Sequence, residues 1–300
     1  MSLVTHLHVH SHFTLLGATA SIHSLVSAAA ADQMSHLALT DLNVLYGAVA
    51  FSQACKAAAI QPIVGMTLRV QLPNNLQPPF APQASPAQTV SAKQQGASEQ
   101  IVLLATNRTG YRSLCRLSSS LQSSPERETL VQQGVRWEAL KDERAGLIAI
   151  AGGRKSWIQQ AVSLGDNKFI TSYLGRFAGL FDDYGYLALE LQSAADTPGA
   201  REISKLADRF GLPCVAVQPI HTLQAEERAR LRLLAAIDRN CKLNDVPASA
   251  LPGDDDPAVS LHWLHPEEMQ TRFAAFAPAL AATNALAARC QPALPDGKPI

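Results

Sequence analysis

Residues 6–12 read His-Leu-His-Val-His-Ser-His and place four imidazoles at a two-residue period. On an extended chain that period sends all four to one face and Leu7 and Val9 to the other. Alternating His8 and His10 at the end of a first strand can donate two nitrogens to one zinc, iron or manganese ion. The same spacing also suits an amphipathic edge strand with a polar outer face, and further ligands elsewhere in the chain decide between the two.

Such donors recur where strand-like runs end. Asp41 follows Leu37-Ala38-Leu39-Thr40, Glu190 lies within Tyr186-Leu187-Ala188-Leu189-Glu190-Leu191, and His221 follows Pro213-Cys214-Val215-Ala216-Val217. His12 and His36 are outlying candidates. Carboxylates and imidazoles suit divalent transition metals, which activate water and neutralise charge developing on a phosphoryl group. Asp41 alone serves equally well as an N-cap, and His221 alone as a hydrogen-bonded core histidine. Glu190 is the more unusual, because a carboxylate in an apolar strand is costly to bury without a partner.

The elements that must position these residues alternate between strand and helix. A helix capped by Thr19 or Ser21 is expected through about Met34, strands at 37–40 and 62–70, and a helix over 46–59 between them. Further strands are expected at 101–105, 147–151, 186–191 and 213–217. Helices fill 109–121, 156–164, 168–181 and 199–210, and the polar stretch 122–144 holds a connection and a short helix. From 223 onward the chain reads mostly helical, broken by Gly253-Asp254-Asp255-Asp256-Pro257 and ending in a helix over 278–290. Residues 73–98, rich in Pro, Gln, Ala and Ser, carry too little apolar surface to pay for ordering and read as a mobile insertion. This is the grammar of a parallel sheet or barrel, and a barrel explains why polar residues recur at strand ends, although an open doubly wound sheet fits the same pattern.

Composition narrows the class. The 300 residues carry 25 basic and 25 acidic side chains, a formal net charge of zero, which argues against a nucleic-acid binder relying on broad phosphate neutralisation but leaves room for a local basic patch. Five scattered cysteines with no CxxC pair suggest reduced thiols in a cytoplasmic protein. No secretion signal and no membrane span are expected.

Several ordered motifs resemble the PHP (polymerase and histidinol phosphatase) domain of bacterial DNA polymerase III alpha subunits, replicative or error-prone. They are the opening His6-Leu7-His8-Val9-His10-Ser11-His12-Phe13-Thr14-Leu15-Leu16-Gly17, then Ala38-Leu39-Thr40-Asp41 and Tyr46-Gly47-Ala48-Val49-Ala50-Phe51. Leu103-Leu104-Ala105-Thr106-Asn107-Arg108, Tyr186 to Leu191, and Leu264-His265-Pro266-Glu267-Glu268-Met269 follow in order. The resemblance implies an α/β fold, a distorted (β/α)7 TIM-like barrel over 1–240 with a helical extension over 241–300 leading toward a polymerase core. It implies metal-binding roles for His8, His10, Asp41, Glu190 and His221, of which His8, His10 and Asp41 are the residual catalytic candidates.

The same resemblance exposes losses. Active relatives carry Asp where this chain has Gly17, His where it has Leu42, Glu where it has Thr67, and an Asp-x-His pattern where it has Pro219-Ile220-His221. A multi-ion phosphoesterase site then lacks much of its ligand set, leaving no cofactor or one weakly bound divalent ion (Zn, Mn or Fe). The expectation is a degenerate, noncatalytic domain supporting a DNA polymerase, with the polymerase palm and thumb, a proofreading exonuclease subunit, and DNA through the parent polymerase as implied partners. The alternative is a residual metal-dependent phosphoesterase or 3′–5′ exonuclease.

Overall fold

The computed structural model describes residues 4–73, 75–76 and 98–295. Among them β1 (His36–Leu39), β2 (Gln61–Gln71), β3 (Ser98–Ala105), β4 (Leu147–Gly152), β5 (Gly185–Glu190) and β6 (Cys214–Val217) hydrogen-bond side by side in chain order. The pairs β1–β2, β4–β5 and β5–β6 are parallel. The parallel grammar breaks at β3, which runs antiparallel to both neighbours. Its register, Gly65 opposite Leu104 through Gln71 opposite Ser98, sets the end of β2 beside the start of β3, so no crossover between opposite ends of the sheet is required. Most of the predicted insertion over 73–98 lies outside the described residues.

The N-terminal segment closes the sheet. On one side Ala38 N donates to His6 O (3.1 Å) and Thr40 N to Val9 O (2.8 Å); on the other, His10 N donates to Ile220 O (2.9 Å) and Ile220 N to His8 O (3.0 Å). Residues 4–10 are thus a seventh stave, and the fold is a distorted (β/α)7 TIM-like barrel with C-terminal helices. The regular strand expected over 6–12 is a shorter, irregular one. The two-residue step from Ala38 to Thr40 is matched by the three-residue step from His6 to Val9, as in a bulge, and the chain turns away from His12 onward.

Alternation along each strand builds two apolar layers. Leu7, Ala38, Ile63, Val102, Leu104, Ile148, Ile150, Tyr186, Ala188, Val215 and Val217 form the inner one. The outer layer contains Leu37, Leu39, Val64, Met66, Leu68, Leu103, Ala149, Leu187 and Leu189 and packs beneath the surrounding helices. These are α1 (Ile22–Ala31), α2 (Ala48–Ala57), α3 (Arg108–Gln122), α4 (Arg127–Gln133), α5 (Trp137–Asp142), α6 (Trp157–Leu164), α7 (Asn167–Phe181) and α8 (Thr197–Phe210). Ser21 caps α1 by accepting from Ser24 N, and the polar stretch 122–144 supplies two short helices, α4 and α5.

Beyond residue 223, α9 (Arg228–Asp238), α10 (Pro266–Arg272) and α11 (Ala277–Ala288) match the helical expectation, but residues 239–265 do not. Pro247, Pro252 and Pro257 interrupt helix there, and the chain instead makes 3-10 turns and an extended piece whose Thr222–His262 pairing flanks the barrel. Helix α11 wedges into the seam between β6 and the N-terminal stave. The Thr283 hydroxyl accepts from Ala216 N (2.9 Å) and lies 3.1 Å from Ala216 O and 2.9 Å from Ala279 O. Thr5 Oγ1 bonds Asn284 Oδ1 (3.2 Å), while Leu286, Ala287 and Cys290 join the inner layer.

Thr283→Val keeps the shape of this wedge and removes its hydroxyl, which strands buried backbone groups of Ala216. We expect a loss of about 1–3 kcal/mol in urea unfolding with secondary structure retained; an unchanged midpoint would mean that the seam is held elsewhere.

Candidate functional site at the barrel rim

The rim at the C-terminal ends of the parallel strands collects most of the candidate residues. His8 and His10 end the N-terminal stave, Asp41 follows β1, Glu190 ends β5 and His221 lies four residues beyond β6. His8 Nε2 and His10 Nε2 are 3.0 Å apart, and the His10 and His221 rings stack with centroids 4.5 Å apart. His8 Nδ1 faces Glu190 Oε1 at 3.9 Å. The other histidines are elsewhere: His6 packs edge-on against Trp263, His12 is exposed beside Phe13, and His36 bonds Ser35 at the opposite end of β1. The expected single face of four imidazoles therefore divides, because the bulge and the turn after Ser11 rotate successive side chains apart.

Asp41 faces the loop that follows the histidines. Its Oδ1 accepts from Ser11 N (2.7 Å) and Thr14 Oγ1 (2.8 Å), and its Oδ2 from Ser11 Oγ (2.8 Å). Burial raises its carboxyl above the ordinary range, opposed by these bonds from Thr14 and Ser11. Thr14 Oγ1, having donated to Asp41, accepts from Leu42 N (3.1 Å) and from His10 Nδ1 (3.0 Å). The network thereby assigns the His10 proton to Nδ1, leaves Nε2 as acceptor, and makes His8 Nε2–H the donor of the pair. Ser11 and Thr14 were not singled out from sequence. The only hint was a pair of hydroxyl residues three apart directly after the histidines.

His221 is fixed from the other side, its Nδ1–H donating to Gly17 O (2.9 Å). Burial holds His8 near 3 and His221 near 4, and it drives His10 well below the ordinary imidazole range, with neighbouring imidazoles adding to the fall for His8 and His10. All three are neutral. Glu190 Oε2 accepts from Arg154 N (2.9 Å), and burial raises its carboxyl to about 7. Gly153, at φ 102°, permits this approach: a Cβ there would lie 2.5 Å from Glu190 Oε1. A second buried carboxyl, Glu99 on β3, accepts from Trp157 N (3.1 Å) and Tyr173 OH (3.4 Å) and is raised to about 8 by burial. The polar insertion preceding it hid this residue from sequence reasoning.

The positions that depart from the ligand pattern have structural roles. Thr67 Oγ1 donates to Thr40 O (2.8 Å), Leu42 N binds Thr14, and Gly17 O holds His221. Two imidazole nitrogens on one tetrahedral zinc stand about 3.3 Å apart, given bonds of about 2.0–2.1 Å, and the His8–His10 pair comes near that spacing. Of the carboxylates nearby, however, Asp41 is bonded to Ser11 and Thr14 and Glu190 lies on the other side of the His8 ring, and among the described residues no group of three or more His, Cys, Asp or Glu is arranged to hold a metal ion. The donor set does not fit a multi-ion phosphoesterase centre.

Barrel and rim together define a class. Residues 6–194 match the PHP domain, and the chain belongs to the PHP domain family. Within it, the chain is similar to bacterial DNA polymerase III alpha subunits: it is 32% identical to that of Bacillus subtilis (strain 168) over 305 residues, which span 97% of this chain and 23% of the relative. It is 29% identical to the error-prone DNA polymerase of Symbiobacterium thermophilum over 311 residues, 98% of this chain and 26% of the relative. The chain thus spans about a quarter of the length of these relatives. Among solved structures, an amidohydrolase from Chromobacterium violaceum with bound sulfate and no metal aligns at 15% identity and a TM-score of 0.44, covering 73% of this chain and 87% of that one. No helix among the described residues is long and apolar enough to cross a membrane.

Asp41→Ala strands the Ser11 amide and two hydroxyls, and we expect it to cost about 2–4 kcal/mol in urea unfolding. Stability of the chelator-treated protein should also peak near neutral pH. Below pH 6.5 the unfolded chain takes up protons that buried His6, His8 and His221 do not accept until about 4 or lower, and that His10 accepts only well below the ordinary imidazole range. These four imidazoles outnumber the raised carboxyls of Asp41, Glu99 and Glu190, so stability falls as pH falls there. Above neutral pH the unfolded imidazoles are deprotonated, and stability falls as pH rises through the folded values of about 7 for Glu190 and about 8 for Glu99, with His265, raised by its hydrogen bond to Asp32, acting in the same direction. Urea midpoints across about pH 4 to 9 test this; a monotonic rise would contradict it.

Proposed function

We propose that this chain is a degenerate PHP domain that supports a polymerase of the DNA polymerase III alpha type in replication or repair and does no hydrolysis itself. The observation that carries the reading is the commitment of Asp41, the one retained carboxylate of its motif, to three hydrogen bonds from Ser11 and Thr14. Gly17, Leu42 and Thr67 strengthen it, because each stands where active relatives carry a ligand and each is bonded into the rim. On this reading the barrel is a scaffold in the cytoplasm, 1–240 form its body and 241–300 lead toward the polymerase palm and thumb. A proofreading exonuclease subunit is a further partner, and DNA is met through the polymerase.

A second reading draws on the 3.0 Å spacing of His8 Nε2 and His10 Nε2, which favours residual binding of one divalent ion and a remnant 3′–5′ exonuclease or other phosphoesterase activity, with Glu190 and His221 beside it.

Metal analysis of the untagged protein, combined with hydrolysis of single-stranded DNA in added manganese or zinc, separates the two. We expect far less than one ion per chain, no turnover, and a His10→Ala variant that loses stability only. Stoichiometric metal with turnover abolished by His10→Ala would reject the scaffold reading.

A further inference from the structure

Four cations gather beside the rim but outside the histidine site. Arg154 and Lys155 follow β4, and Arg228 and Arg232 lie one turn apart on α9. All four converge on the acidic turn after residue 252. Lys155 Nζ pairs with Asp254 Oδ1 (2.6 Å), Arg154 Nη2 with Asp256 Oδ2 (3.5 Å), Arg228 Nε with Asp255 Oδ1 (4.0 Å), and Arg232 Nη1 with Asp255 Oδ2. Arg154 Nε also faces Asp196 at 3.5 Å. Helix α9 and the loop after β4 are far apart in sequence, so the fold itself assembles this cation set.

Three observations mark the turn as an occupant that can be displaced. Its backbone is strained, with Asp254 at φ 53° and Asp255 at φ 58° directly after Gly253 at φ 69°. Successive non-glycine residues in the left-handed region cost roughly 1–2 kcal/mol each. Two of its three carboxylates are solvent-accessible, Asp254 at 51% and Asp256 at 41% exposure, so their pairs with Lys155 and Arg154 return little and weaken with salt, while Asp255 is the more sheltered anchor. The cations, moreover, are not saturated by it: Arg154 Nη1 and Arg228 Nη2 are buried and have no hydrogen-bond partner. A guanidinium offers five donors in a planar fork suited to phosphate, and buried donors left unpaired are costly.

We infer that Arg154, Lys155, Arg228 and Arg232 form a binding site for the successive phosphates of a single nucleic-acid strand, and that the Asp254–Asp256 turn is an internal stand-in which the strand displaces. Three carboxylates on consecutive residues present closely spaced negative charges, as a strand of phosphodiesters does. With the turn displaced, four cations face the carboxylates of Asp196 and Glu190 beside Arg154, a local excess of positive charge that the chain's zero net charge conceals. The site uses none of the histidines or Asp41 and stands independently of the scaffold reading.

The test is fluorescence anisotropy of a labelled oligodeoxythymidylate with the full chain, together with hydrogen exchange of the turn. The wild-type chain should bind at low salt, with a slope of log affinity against log salt of about −2 to −3, and amide exchange in residues 253–259 should rise on binding. Asp254→Asn with Asp256→Asn should tighten binding about tenfold or more, equivalent to about 1.4 kcal/mol, and adding Lys155→Gln with Arg232→Gln should cancel the gain while the chain stays folded by circular dichroism, although Arg232 also bonds Leu243 O and Val246 O. Tripolyphosphate that competes at equal charge would extend the site to free polyphosphate; failure to compete assigns it to the strand. No wild-type binding at low salt, no tightening in the asparagine variant, or a gain that survives loss of Lys155 and Arg232 would each overturn the inference.

Discussion

The structure depends on one short set of backbone hydrogen bonds, those by which Ile220 grips His8 and His10. A sheet of six strands has two edges, and each edge exposes unpaired amides and carbonyls. The N-terminal stave covers the β1 edge along its other side and meets the opposite edge only near Ile220. Below that point the seam is too wide for direct pairing, and α11 fills it with the Thr283 hydroxyl where a strand would have supplied amide and carbonyl. Closure also fixes the site: the bonds that join the edges hold His8, His10 and His221 at one rim.

The rim shows how a cluster of buried imidazoles and carboxyls is held by hydrogen bonds within the chain. Neutral imidazoles need no ion to be stable in a buried place, provided each nitrogen has a partner or faces the apolar side. Thr14 meets that need for His10 and Gly17 for His221, while His8 shares a proton with His10. Asp41 acts through Ser11 and Thr14 and shapes the loop that covers these rings. The result is a polar knot that ties the loop over 11–17 to β1 and to the chain after β6, and these rim positions contribute rigidity.

Strand and helix positions were largely legible because each strand is buried on both faces and reads as an unbroken apolar run, as in Leu147 to Ala151 and Tyr186 to Leu189. The barrel rim was legible too, since Glu190 ends such a run and Asp41 and His221 follow one within a few residues. The reversed direction of β3 was not, because an apolar run carries no arrow. Nor was the separation of His6 and His12 from His8 and His10: a two-residue period implies one face only if the strand stays regular, and a single bulge undoes it. Ser11, Thr14 and Glu99 escaped notice for a common reason. Hydroxyls and a lone carboxyl gain their meaning from partners distant in sequence, and periodicity is blind to those. The helical reading of 239–265 failed where three prolines and the strained acidic turn override helix-forming neighbours.

The seam also sets an order of events during synthesis. The first stave emerges from the ribosome before every partner it needs; β1 follows soon after, but its last contacts, Ile220 and then Asn284 beside Thr283, emerge only long afterwards. Contacts of such long sequence separation form late and slowly. Until Ile220 is made, the side of the histidine-rich stave turned away from β1 must therefore wait as an unpaired edge, a surface that favours strand addition by other chains. Alternation of histidine with apolar residues tempers that hazard, because each second side chain stays hydrated until the barrel closes.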